Sequence, residues 1–136
     1  MKKTILLLLF AGSLFSCSDD DNGTTVNAGL NGSWTMTGFL AFMDTLPEIG
    51  TNEIIWEIDL EAEELTVTNT IEDEYPYILE SGTYEIRVTG ERFIIEQGDY
   101  DPEYDYYFDG DILVLDSNID GMVDGPVMHF NTAQQR

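Results

Sequence analysis

Positive charge is nearly missing from this sequence. Its 136 residues include five basic ones against 27 acidic ones, for a formal charge of −22, and the lysines are confined to Lys2 and Lys3. Binding to phosphates or anionic headgroups depends on clustered Lys and Arg, so nucleic-acid recognition and electrostatic docking on acidic lipid are excluded. Cysteine is scarce as well. Cys17 stands alone, has no disulfide partner and would be a reactive liability outside a cell. The apolar run Ile5–Phe10 falls far short of the roughly 20 residues a spanning helix needs. Nor does any segment keep a helical period. Disorder is excluded too, because hydrophobic residues make up 43% and aromatics 12% of the chain, too many for a solvating tail. Such acidity favours solubility, attraction of cations and basic partners.

What is present begins with a secretory signal. Lys2 and Lys3 form a charged n-region, and Ile5–Phe10 with Leu14 and Phe15 form a short apolar core. Leu14-Phe15-Ser16-Cys17 resembles a bacterial lipobox. The resemblance implies that residues 1–16 are cleaved and that the Cys17 thiol carries a diacylglycerol, with further acylation of the new amino terminus. Two or more acyl chains are what stable anchoring requires. Ser18-Asp19-Asp20-Asp21 resembles the acidic export signal of Bacteroidota-type lipoproteins, which implies an outer-membrane address facing the cell exterior. A run of like charge also makes an extended, hydrated tether, and residues 17–29 read as one, continued by small polar residues. Loss of the signal leaves Arg87, Arg92 and Arg136 against all 27 acids.

From Leu30 onward the period is two. Ile54, Trp56, Ile58 and Leu60 alternate with Glu53, Ile55, Glu57 and Asp59; Tyr84, Ile86 and Val88 alternate with Thr83, Glu85 and Arg87. Turn clusters divide the rest into eight expected strands at about 33–43, 51–60, 64–71, 78–88, 91–97, 103–109, 111–116 and 127–131. Asp109-Gly110 is the clearest hairpin signal, and Thr89-Gly90 is similar. The expected fold is a single all-β domain over 30–136: an antiparallel up-and-down meander closing into a small barrel, with an open β-sandwich as the alternative.

Leu30-Asn31-Gly32-Ser33-Trp34 resembles the Gly-x-Trp opening of lipocalin-like domains in bacterial lipoproteins. Ser81-Gly82-Thr83-Tyr84-Glu85-Ile86 and Gly110-Asp111-Ile112-Leu113-Val114-Leu115 are similar to later strands of that family. The resemblance implies that Trp34 plugs one end of a barrel and that Gly32 lets the chain pass close by. Such barrels often stack a basic side chain on that tryptophan, and here only Arg136 lies late enough to do so.

Three stretches bear on chemistry. Asp116, Asn118, Asp120, Met122 and Asp124, with Gly121 between, match the first half of a calcium loop, while Val127 stands where a bidentate glutamate belongs. The same residues make an ordinary hydrophilic turn. Tyr100 and Tyr107, beside carboxylates, are candidate sugar contacts, whereas Tyr104, Tyr106 and Phe108 share a strand face suited to the core. His129 is the only histidine, and no serine near it has the context of a nucleophile. With Cys17 acylated there is no Cys–His pair. Acid–base pairs carry no information among 27 acids.

The sequence thus points to a non-enzymatic, lipid-anchored lipocalin-like protein without a cofactor, calcium aside. It would bind a small apolar or amphipathic ligand, or serve as a protein- or glycan-interaction module of a cell-surface complex. The inward candidates Trp56, Tyr84, Phe93, Tyr104 and Tyr106 are large and lean towards a filled interior.

Overall fold

The computed structural model describes residues 29–41, 48–121 and 125–133. Eight strands follow one another: β1 (Gly32–Leu40), β2 (Ile54–Asp59), β3 (Glu64–Asn69), β4 (Gly82–Thr89), β5 (Arg92–Glu96), β6 (Glu103–Asp109), β7 (Ile112–Asp116) and β8 (Val127–Thr132). A single 3₁₀ turn, Ile119–Gly121, precedes β8. Each strand pairs antiparallel with the next, and β8 returns to β1, closing the barrel. Closure removes the sandwich alternative, since β1 is bonded on both sides and the sheet has no free edge.

Alternation sends one face inward along every strand. Trp34 and Met36 from β1, Ile54 and Trp56 from β2, Phe93 and Ile95 from β5, and Met128 and Phe130 from β8 are buried. The middle of the lumen is crossed by aromatic rings. Trp56 lies 6.4 Å from Phe93 and 4.8 Å from Phe130, ring centre to ring centre. These rings come from β2, β5 and β8, strands spread around the circumference, so together they span the interior. Tyr104 and Tyr106 join this core, whereas Tyr84 is only half-buried at its rim. Phe108 departs from the expected core face. It is 39% exposed at the barrel end, where its ring covers Trp34 at 6.0 Å.

Two hairpins turn one residue later than their sequences suggest. Thr89 pairs with Arg92 and Asp109 with Ile112, so the turn residues are Gly90-Glu91 and Gly110-Asp111. Gly90 (φ 60°) and Gly110 (φ 61°) take the first central position, as a type II′ turn requires. Up-and-down topology then sorts the connections by end. The short turns 60–63, 90–91 and 110–111 lie at one end with Leu30 and Trp34. The longer connections 70–81, 97–102 and those between β1 and β2 and between β7 and β8 lie at the other.

β4 starts later than its apolar pattern suggests. Ile78 and Leu79 belong to the loop, because Tyr77 adopts φ 74° in a turn closed by Ile78 N–H to Tyr75 C=O at 3.3 Å. β2 likewise begins at Ile54, after a Gly50–Glu53 turn in which Asn52 has φ 63°.

Candidate functional site

The signal segment, Cys17, Ser18, Asp19, Asp20 and Asp21 lie outside the described residues, as do Met122, Asp124 and Arg136. The remaining candidates fall at the two ends and on the wall of the barrel.

Gly32 and Trp34 stand at the short-turn end, and no close approach of the chain is seen at Gly32. Trp34 is buried, and its Nε1–H donates to the buried Leu30 carbonyl at 2.9 Å. Asn31 Oδ1 accepts from Leu60 N–H at 2.8 Å, tying the start of the domain to the β2–β3 turn. Gly32 has φ 134° with open space where a Cβ would stand. The glycine is therefore demanded by the backbone angle and not by crowding.

Asp116 and Asn118, before β8, brace each other and the chain around them. Asp116 Oδ1 accepts from Asn118 N–H (2.9 Å) and Asn118 Nδ2 (2.7 Å), and Asn118 Oδ1 accepts from Gly125 N–H at 2.8 Å. This bracing has the geometry of an Asx turn. Among the described residues no three His, Cys, Asp or Glu side chains gather as metal ligands would.

Tyr100 and Tyr107 are both exposed, at 75% and 49%. They do not converge. Tyr100 sits in the long-loop end above β6, and Tyr107 lies on the outer wall roughly 13 Å further down that strand at strand rise. His129 also faces outward, where its ladder neighbours Gly38 and Val114 bring it no nucleophile.

A feature the periodicity did not reveal lies between β3 and β4. Here a depression of about 490 Å³ opens at the long-loop end, lined by Glu72, Asp73, Glu74 and Glu80 with Tyr75 and Ile78. Asn69 holds it in shape. Its Oδ1 accepts from Ile71 N–H (2.9 Å) and its Nδ2 donates to Leu79 C=O (3.0 Å). Ser81 Oγ closes the base, accepting from Asn69 N–H and donating to Asn69 C=O. Tyr84 buttresses the wall through its hydroxyl, which donates to Glu80 C=O at 2.9 Å. Burial, with the nearby Glu80 carboxylate adding to it, raises the Tyr84 pKa and keeps the phenol protonated.

Among the described residues, neither arginine lines this depression. Arg87 pairs with Glu96, and Arg92 with Glu103 and Asp105, all on the outer wall of β4 to β6. These are half-exposed pairs, each worth about 0–1 kcal/mol. Comparison of the chain with protein families, with curated proteins and with solved structures returned no match.

Proposed function

We propose that this chain is a non-enzymatic, lipid-anchored lipoprotein of lipocalin-like build that binds a partner through its outer, long-loop end. The observation that carries this reading is the Trp56–Phe93–Phe130 contact across the lumen, which leaves the barrel centre to side chains. The preformed concavity lies outside, between β3 and β4. Orientation adds to the argument. Leu30 enters at the short-turn end, so a tether from Cys17 joins the barrel opposite the long loops and leaves them uncovered.

A second reading, a small apolar or amphipathic ligand inside the barrel, draws on one observation. Trp56 Nε1–H is buried with no hydrogen-bond partner, and a ligand oxygen would satisfy it.

Two measurements separate the readings. A photo-crosslinking residue placed at Tyr77 or Tyr100 on intact cells is expected to give partner adducts, and one at Glu61 or Glu91 none. Dodecanoate, added to the isotope-labelled protein, is expected to leave the Trp56 indole N–H resonance in place. A saturable shift of that resonance with a rise in melting temperature would put the ligand in the lumen and overturn the exterior reading. Cys17→Ala is expected to abolish palmitate labelling and membrane retention.

A further inference from the structure

Charge is spread unevenly around the outside of the barrel. Each of β2 to β6 carries at least one carboxylate. By contrast, β1 and β8 carry no acidic or basic residue except His129, and β7 carries Asp116 alone. Closure makes β7, β8 and β1 neighbours, so they form one wall. The ladder registers set out its face. Tyr107 on β6, Val114, His129 and Gly38 make one row across it, with Val127 and Leu40 above and Ile112 and Asn131 below.

Exposed apolar side chains gather on this wall. Leu40 is 56% exposed, Tyr107 49% and Ile112 37%, while Val127 is half-buried. Val114 is buried between its ladder neighbours Tyr107 and His129. The imidazole lies low against β1, since a Cβ on Gly38 would stand 3.2 Å from His129 Nδ1. A chain with 27 acidic residues thus keeps the centre of one wall apolar and uncharged. Contiguous exposed apolar surface marks a contact site, and charge is depleted at the core of protein interfaces.

We propose that the β7–β8–β1 wall pairs with the same wall of a second copy of this chain. Charge selects this occupant. A basic protein is drawn to the carboxylate rows of β3 to β5 and an acidic one is repelled by them, so an uncharged wall is best met by another. Two-fold pairing turns both acidic walls outward, separated by more than the Debye length of about 8 Å at physiological salt. The lipid anchor proposed above agrees with this arrangement. The chain enters each barrel at the short-turn end, so a two-fold axis along the barrel leaves both tethers on one side, for anchors in one leaflet. Three strands of about five residues make a face of roughly 14 by 17 Å, small beside the ~800 Å² per partner of a standard interface. The pairing is therefore weak between free chains and draws on the local concentration that a shared leaflet provides.

The test is photo-crosslinking of the full chain on intact cells that co-express two differently tagged copies. A photo-reactive residue at the exposed Ile112 is expected to join the two tags, and one at the exposed Glu85, on the opposite wall, is not. Thr37→Glu with Asn131→Asp, both exposed, sets like charges face to face and should lower the Ile112 adduct about tenfold. Thr68→Glu with Thr83→Asp adds the same charge to the opposite wall and should leave that adduct unchanged. No joined tags at Ile112, equal joining at Ile112 and Glu85, or an Ile112 adduct with a different protein in place of the copy would each overturn the pairing. So would equal loss in the two double variants when circular dichroism shows both folded. The comparison of Ile112 with Glu85 decides the matter even where a double variant fails to fold. If Ile112 joins the tags while Tyr77 and Tyr100 give no partner adducts, the pairing stands and the exterior reading falls.

Discussion

Asn69→Ala tests whether the β3–β4 loop is held by side-chain bracing or by its own backbone. Asn69 ends β3, and its side chain makes two hydrogen bonds across the loop, to Ile71 N–H and from Nδ2 to Leu79 C=O. Alanine removes both and leaves a half-buried donor and acceptor to water. At about 0.5–1.5 kcal/mol per bond the loss is about 2 kcal/mol, since partial access to solvent keeps it from the upper limit. For a domain of about 100 residues that is a fall of about 10 °C in melting temperature. Urea unfolding should show a lower midpoint with an unchanged slope, because the surface exposed on unfolding is the same. Hydrogen exchange should quicken at 70–81 while β6 and β7 keep their protection, as a local opening requires. Asn69→Asp keeps the Oδ1 acceptor, loses the donor and sets a further charge near Glu72 and Glu80, so it should also destabilise. A loss below about 0.5 kcal/mol in Asn69→Ala, with exchange unchanged, would show that the bracing does not shape the loop.

Trp34→Phe and Trp56→Phe remove the same indole N–H from two settings. The first leaves the buried Leu30 carbonyl unpaired and the second deletes a donor that had no partner, so Trp34→Phe should cost about 1–3 kcal/mol more in thermal melts. Equal costs would mean that Leu30 is held by something else. Alkaline pH gives a separate check. Burial, with a smaller contribution from Tyr100, pushes the Tyr104 phenol well above its usual range, and burial with the nearby Glu91 raises Tyr106. The native chain therefore keeps protons that the unfolded chain gives up near pH 10, so stability is full below that value and falls above it. Tyr104 alone contributes a slope of about 1.4 kcal/mol per pH unit there, which urea midpoints between pH 9 and 11 should show and Tyr104→Phe should remove.

The strands were readable in the sequence because burial on one face of a sheet imposes a two-residue period, and Ile54, Trp56 and Ile58 display it plainly. Turn glycines were readable because Gly90 and Gly110 occupy angles that other residues avoid. Phe108 was misplaced for a local reason: it keeps the inward parity of Tyr104 and Tyr106 but lies at the barrel end, where the lumen meets solvent. The rim depression left no periodic trace. It is made by Asn69 and Ser81, polar residues whose bonds run across the loop, and by Tyr77 at an angle its residue type does not announce. Asp116 and Asn118 show the converse. Oxygens at alternate positions serve a cation or a turn equally well, and the hydrogen bonds of Asp116 Oδ1 and Asn118 Oδ1 show the turn at these two residues.

Charge on the outer wall follows a different logic from the core. Glu64 stands directly opposite Glu85, and Glu85 opposite Glu96, so three strands carry a continuous row of carboxylates. Asp105 faces Asp116 in the same manner. Like charges directly across a sheet destabilise it, and Arg87 and Arg92 offset only part of this through Glu96, Glu103 and Asp105. A surface arranged for stability alone would alternate its signs. This one accumulates a single sign on the wall and around the rim depression, and tolerates the repulsion because the aromatic-spanned lumen and the edgeless sheet hold the fold without help from the exterior.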